Sequence, residues 1–210
     1  MVFSTNYTPA MLLFRRVLLL FFIMTGATVP TLAGPAPVVV LDPGHGGKDR
    51  GTMWGGVSEK TLTLSIARKV EAQLQARGIR TAMTRRTDTY RSLESRAATA
   101  NGYRSSVFVS IHCNADPLHA ARGIETFYSG SRGRTLASSI HTVLDARTST
   151  PDRGIKFSRF SVLRNTSCPA ALVECGFLSS TAERLLLVTG PYQDRVARAI
   201  ADGIVRALPR

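Results

Sequence analysis

The sequence predicts an α/β fold: one domain on a mostly parallel, twisted sheet with helices on both faces. Three observations lead there. Apolar runs of strand length alternate with segments whose apolar residues recur at helical spacing, the order that builds a parallel sheet covered on both sides. The run Val107-Phe108-Val109-Ser110-Ile111 is apolar on both faces, as a central strand of such a sheet must be. His45, His112 and Glu174 each follow or end an apolar run, and open α/β sheets bind ligands beyond the carboxyl ends of their strands. The length of 210 residues suits a single domain after trimming.

The elements follow in order. Gly34-Pro35-Ala36-Pro37 is a stiff lead into a strand at 38–42. A helix is expected over 59–77, where Leu62, Ile66, Val70 and Leu74 recur every fourth position, with Ser58 as N-cap and Gly78 as the stop. A strand at 79–84 and a helix near 92–103 come next, the helix turning Leu93, Ala97 and Ala100 inward. Strands follow at 107–112 and 123–128, then a helix near 134–147 carrying Leu136, Ile140, Val143 and Leu144. The polar stretch 148–160 reads as a loop, Ser161-Val162-Leu163-Arg164 as a short strand, and 170–174 as a buried one. Ser180 and Glu183 have capping-box spacing for a helix through Leu187. A last helix after Pro191 aligns Val196, Ile200 and Ile204. There is no internal repeat and no low-complexity tract.

Residues 1–33 are a separate matter. Arg15-Arg16, the apolar core Val17 to Met24 and the small residues around Thr31-Leu32-Ala33 have the order of a secretory signal. The apolar core is short for a bilayer span of roughly 20 residues, so cleavage before Gly34 is the expectation and an uncleaved anchor the alternative. The chain carries 27 basic and 14 acidic residues. Removal of residues 1–33 takes away only Arg15 and Arg16 and leaves a net charge of +11. An excess of this kind attracts polyanions or merely keeps a surface solvated. Without an RNA-binding signature, basic–aromatic interleaving or zinc-finger spacing, nucleic acid is not an expected partner and an anionic envelope polymer ranks above it. Cys113, Cys168 and Cys175 form no CxxC pair. Cys113 and Cys175 each follow a candidate site residue on a strand, so their thiols should face the other side of the sheet.

His45, Glu59 and His112 are the candidate metal ligands. His45 sits in the turn Asp42-Pro43-Gly44-His45-Gly46-Gly47, Glu59 opens a helix, and His112 ends a buried strand. Two imidazoles and one carboxylate are the protein half of a catalytic zinc site, which keeps its fourth position for water. Taken singly, His45 could be a turn residue and Glu59 a carboxylate favoured by the helix dipole. His112 and Glu174 are harder to explain away, because an unpartnered imidazole or carboxylate at the end of an apolar strand is costly. Glu174 is the candidate base. Glu125 is a candidate for the same rim, below Glu174; Asp42 is a candidate to orient His45, with Asp116 a weaker one beside His112. His119 and His141 fit surface or packing roles. There is no G-x-S-x-G elbow, P-loop or dinucleotide fingerprint.

Together these segments resemble the bacterial zinc-dependent N-acetylmuramoyl-L-alanine amidases of the AmiC type. The resemblance rests on Val40 to Gly47, Ser58-Glu59-Lys60, Thr84 to Asp88, Arg96 to Asn101, Phe108 to Ala115 and Val173 to Ser179, in family order over about residues 38–208. It implies one zinc ion on His45, Glu59 and His112, with Glu174 as the catalytic carboxylate. It further implies a peptidoglycan substrate, an exported or periplasmic protein, and residues 34–210 as the catalytic domain. Asn114 and Arg96 are candidate substrate contacts. Some members of that family carry a long inhibitory insertion where this chain has only Ser129 to Gly133, so an uninhibited or differently regulated domain is expected, with room for a regulatory protein. A zinc peptidase acting on stem peptides and a non-catalytic wall-binding module are the rival readings.

Overall fold

The structure, a computed structural model, describes Met1 and residues 37–209. The segment read as a secretory signal lies outside the described residues. In chain order the elements are β1 (Val38–Pro43), β2 (Met53–Trp54), β3 (Val57–Ser58), α1 (Glu59–Gln75), β4 (Thr81–Met83), α2 (Leu93–Asn101), β5 (Ser106–Asn114), β6 (Ile124–Tyr128), α3 (Gly130–Arg147), β7 (Asp152–Phe157), α4 (Ser161–Arg164), β8 (Ala170–Phe177), α5 (Thr181–Leu187) and α6 (Gly190–Ala207).

Six strands form one sheet in the order β4-β1-β5-β8-β6-β7, while β2 and β3 form a separate antiparallel pair. All neighbours in the large sheet run parallel except β6 and β8. The expected mostly parallel α/β architecture is therefore present, with one reversal at β6.

Strand parity divides the interior in two. Val39, Leu41, Val109, Ile111, Cys113, Val173 and Cys175 pack with α1, α3 and α6 in the larger core. Val38, Val40, Phe108, Ala170 and Leu172 face the other way, against Ala100 of α2 and Val162 and Leu163 of α4. His112 and Glu174 stand directly opposite each other in the β5–β8 register, two residues on from Ser110 and Leu172. The site therefore belongs to the α2/α4 face. Cys113 and Cys175 lie behind it, buried as free thiols in the larger core, as alternation along a strand requires.

Three expectations are corrected. Leu93, expected to turn inward with Ala97 and Ala100, opens α2 and is 49% exposed, while the two alanines are buried. Ser161-Val162-Leu163-Arg164 is a helical turn, with the amides of Leu163 and Arg164 bonded to the Phe160 carbonyl and that of Asn165 to Ser161. A two-residue apolar run satisfies either geometry, and periodicity cannot separate them. The stretch 148–160 is not all loop, because it contains β7, which completes the sheet beside β6. Its polar composition hid it: an edge strand with charged side chains lacks an apolar run.

Candidate active site

His45 leaves the end of β1 in a left-handed conformation, φ 62°, followed by Gly46 at φ 128°. Two hydrogen bonds between the backbones of Gly46 and Asp49, of 2.8 and 3.2 Å, fold the loop back. Asp49 Oδ2 then sits 2.9 Å from His45 Nδ1. That contact leaves Nε2 as the free donor atom, 3.1 Å from Glu59 Oε2. From below, buried arginines hold the loop carbonyls. Arg96 Nη1 donates to Asp42 Oδ1 and the Pro43 carbonyl, its Nη2 donates to the His45 carbonyl at 2.6 Å, and Arg85 donates to the carbonyls of Pro43 and Gly44.

Glu59 is the first residue of α1. Its Oε2 accepts from Thr52 N at 2.9 Å, and its Oε1 accepts from Cys113 N at 3.1 Å and lies 3.0 Å from His112 Nδ1. Burial would raise this carboxyl's pKa, but the neighbouring His112 and His45 outweigh it and hold the group far below the usual carboxylate range. One donor atom from each of His45, Glu59 and His112 lies within 4.8 Å of the others. Two glycines make this approach possible. A Cβ on Gly44 would stand 2.3 Å from the His112 ring, and one on Gly51 would stand 2.6 Å from both Glu59 Oε2 and the His45 ring.

Glu174 stands on β8 beside His112, 9% exposed, and its Oε2 has no hydrogen-bond partner among the described residues. Burial, reinforced by the charges of Glu59, Cys175 and Glu125, pushes its pKa well above the carboxylate range. Such a buried, unpaired oxygen calls for a partner that the described residues do not supply. Two nitrogens and a carboxylate converging beside it are a donor set that fits zinc. The cleft above them, about 610 Å³, is lined by these four residues together with Asn114, Phe160, Val162 and Leu172. A second cavity, about 450 Å³ around Cys168, lies at the opposite ends of β5 and β8 and shares none of this chemistry.

Against known proteins, the sequence profile of the N-acetylmuramoyl-L-alanine amidase family matches residues 39–206. The chain belongs to this family. It is 35% identical over 171 residues to the N-acetylmuramoyl-L-alanine amidase LytC of Bacillus subtilis, covering 80% of this chain but only 34% of that relative. It is 34% identical over 199 residues to the B. subtilis protein YqiI, covering 92% and 96%. Among solved structures it is similar to the catalytic domain of CwlV, an N-acetylmuramoyl-L-alanine amidase from Bacillus (Paenibacillus) polymyxa var. colistinus, with a TM-score of 0.79 and 39% identity over 81% of this chain and 97% of that one. The chain thus spans about a third of LytC's length and nearly all of the CwlV catalytic domain.

Within this amidase fold the remaining candidates separate. Asn114 lines the cleft, its Nδ2 donating to Glu125 Oε1 at 2.5 Å. Arg96 is placed away from any substrate surface: it is buried, and its guanidinium is occupied by Asp42 and the carbonyls of Pro43, His45 and Arg91. The reason is electrostatic, since Asp42 is fully buried and needs a cation. Asp42 itself binds Thr84, Ser110 and Arg96, so it reaches His45 only through Arg96. Asp116 accepts from the amides of Leu118, Ala120 and Ala121 and shapes its own loop. His119 packs edge-on to Trp54, and His141 bridges Thr126 and Asp152. Sequence reasoning missed Asp49. The signal was present as an acid four residues after His45, inside a glycine-rich turn.

Proposed function

We propose that residues 34–210 are the catalytic domain of an exported zinc-dependent amidase that cleaves the bond between N-acetylmuramic acid and L-alanine in peptidoglycan. Residues 1–33 would direct the export. The observation that carries this reading is the meeting of His45, Glu59 and His112 around one point, with the unpaired Glu174 oxygen beside it. His45, Glu59 and His112 would hold the ion. Zinc held there would supply Lewis acidity, which makes a water acidic near neutral pH and polarises an amide carbonyl.

The protein's own groups do the rest. Asp49 fixes the tautomer of His45, presenting Nε2 inward. Thr52 N and Cys113 N orient the two oxygens of Glu59. Glu174, with no competing partner, takes a proton from the attacking water. It returns the proton to the alanine nitrogen as the carbon–nitrogen bond breaks, leaving a lactyl carboxylic acid and a free peptide amine. Only Ser129 separates β6 from α3, so the cleft carries no insertion at that point and activity without an activator is expected. The basic surface would favour anionic wall polymers over nucleic acid.

The test is zinc content and products from purified residues 34–210 incubated with cell-wall sacculi. Free stem peptides with intact glycan are the expected result. Shortened peptides would mean a peptidase, and tight wall binding without release a non-catalytic module. Glu174→Gln should retain zinc and lose about 10²- to 10⁴-fold in turnover, the range of general acid–base catalysis. Full turnover in that variant would remove Glu174 from the role.

A further inference from the structure

Beyond Glu174 the sheet continues through β6 to β7, away from the metal ligands. Glu125 stands directly opposite Glu174 in the antiparallel β6–β8 register, so both side chains share the cleft face. Phe127, two residues on, is on that face as well and packs edge-on to Phe160 of the cleft wall. Glu125 is buried. Its Oε1 is taken by Asn114, and its Oε2 receives both Arg153 Nε, at 2.9 Å, and Lys156 Nζ.

Two cations three residues apart on a regular strand point to opposite faces. Here they converge because the β6–β7 register shifts between Ile124 and Thr126, with Gly154 at φ 75°. Bulges of this kind re-aim side chains and are common beside active sites. Glu125 offers one negative charge to two positive ones. The Arg153 and Lys156 side chains remain 35% and 39% exposed. Only Nε of Arg153 is occupied by Glu125, while its guanidinium stacks over Phe177 at 5.1 Å. One positive charge, with donors to spare, is therefore left beside Glu125, on the sheet face that carries Glu174.

We propose that Arg153 and Lys156 form a subsite for a carboxylate carried by the second residue of the released peptide. This rests on the amidase reading above. Arg153 and Lys156 reach back from β7 to Glu125 on β6, and β6 lies one strand spacing, about 4.8 Å, past β8. A peptide whose amine is at Glu174 and whose chain runs over β6 brings its second residue to these cations, since each extended residue spans about 3.5 Å. A guanidinium edge and an ammonium are the donors that bind a carboxylate strongly, and a carboxamide in its place forfeits the charge.

The experiment uses two muropeptides, a disaccharide carrying a tripeptide with either a free carboxylate or its carboxamide on the second residue. The wild-type protein should favour the acid at least tenfold in kcat/KM, mainly through KM. Combining Lys156→Gln with Arg153→Gln should bring the ratio close to one, and Lys156→Arg should preserve it. Equal wild-type rates on acid and amide would overturn the subsite alone. So would a double variant that loses kcat equally on both, since that pattern marks mere support of Glu125. Release of no peptide from either compound would remove the amidase reading, and the subsite with it. If the double variant does not fold, the single Lys156→Gln variant carries the same comparison.

Discussion

At the scale of single residues, Glu174 is the group whose proposed role and stability conflict. Its pKa stands well above the usual 4.5, mainly through burial. A carboxyl raised in this way contributes its full stability below the unfolded value, and loses it as pH rises through the folded value. In zinc-free protein, Glu174→Gln should therefore match the wild type in Tm near pH 4 and melt higher near pH 8. A lower Tm at pH 8 would show the carboxylate to be better satisfied than its unpaired oxygen implies. Asp49 has the opposite character, adding order to the proposed ligand His45 without a part in the proposed reaction. Asp49→Asn should weaken zinc binding about 10- to 100-fold, the usual cost of removing a carboxylate behind a histidine ligand. Competition with a chromophoric chelator reads this directly, and unchanged affinity would leave His45 oriented by its glycine turn alone. His112 and Glu174 stood out singly, because an imidazole or carboxylate at the end of an apolar run is costly, whereas His45 and Glu59 gained meaning only in combination with them. Asp49, in an open polar turn, has no such cost, and only the fold of the loop shows its task.

At the scale of elements, the capping signal at Ser180 and Glu183 was half right. Ser180 Oγ accepts from Glu183 N at 3.4 Å, as expected of an N-cap. The Glu183 carboxylate, however, accepts from Phe177 N and Gly123 N, at 2.7 and 2.6 Å. It therefore ties the end of β8 and the start of β6 to α5. Removing it leaves two buried amides unpaired, at about 1–3 kcal/mol each, whereas loss of the Ser180 cap costs about 1 kcal/mol. Urea denaturation should accordingly find Glu183→Ala more destabilising than Ser180→Ala, and the reverse order would restore the ordinary capping box. β7 and α4 escaped sequence reading for related reasons. β7 is polar because it lies at the edge of the sheet, and α4 is a single turn whose two apolar residues fit either state.

For the whole molecule, the three proposed ligands come from the loop after β1, the start of α1 and the end of β5. An ion held by all of them joins segments distant in the chain, so its binding energy adds to folding stability. At a thousandfold excess over Kd this is about 4 kcal/mol, or roughly 8–16 °C in Tm for a chain of this size. Chelation should lower Tm by that order, and His112→Ala should abolish the difference. No change on chelation would mean that the three side chains do not share an ion. The sequence by itself determined the class of fold, the larger core and the four residues of the proposed chemistry. The fold class and the core follow from local periodicity, His112 and Glu174 from the cost of a polar group at the end of an apolar run, and His45 and Glu59 from the ligand set they complete. Only the tertiary structure decided that Arg96 serves Asp42 and the His45 loop, that β6 runs against β8, and that Arg153 and Lys156 converge on Glu125. Those outcomes depend on which strands become neighbours and where a register slips, and pairing between distant segments leaves no periodic trace along the chain.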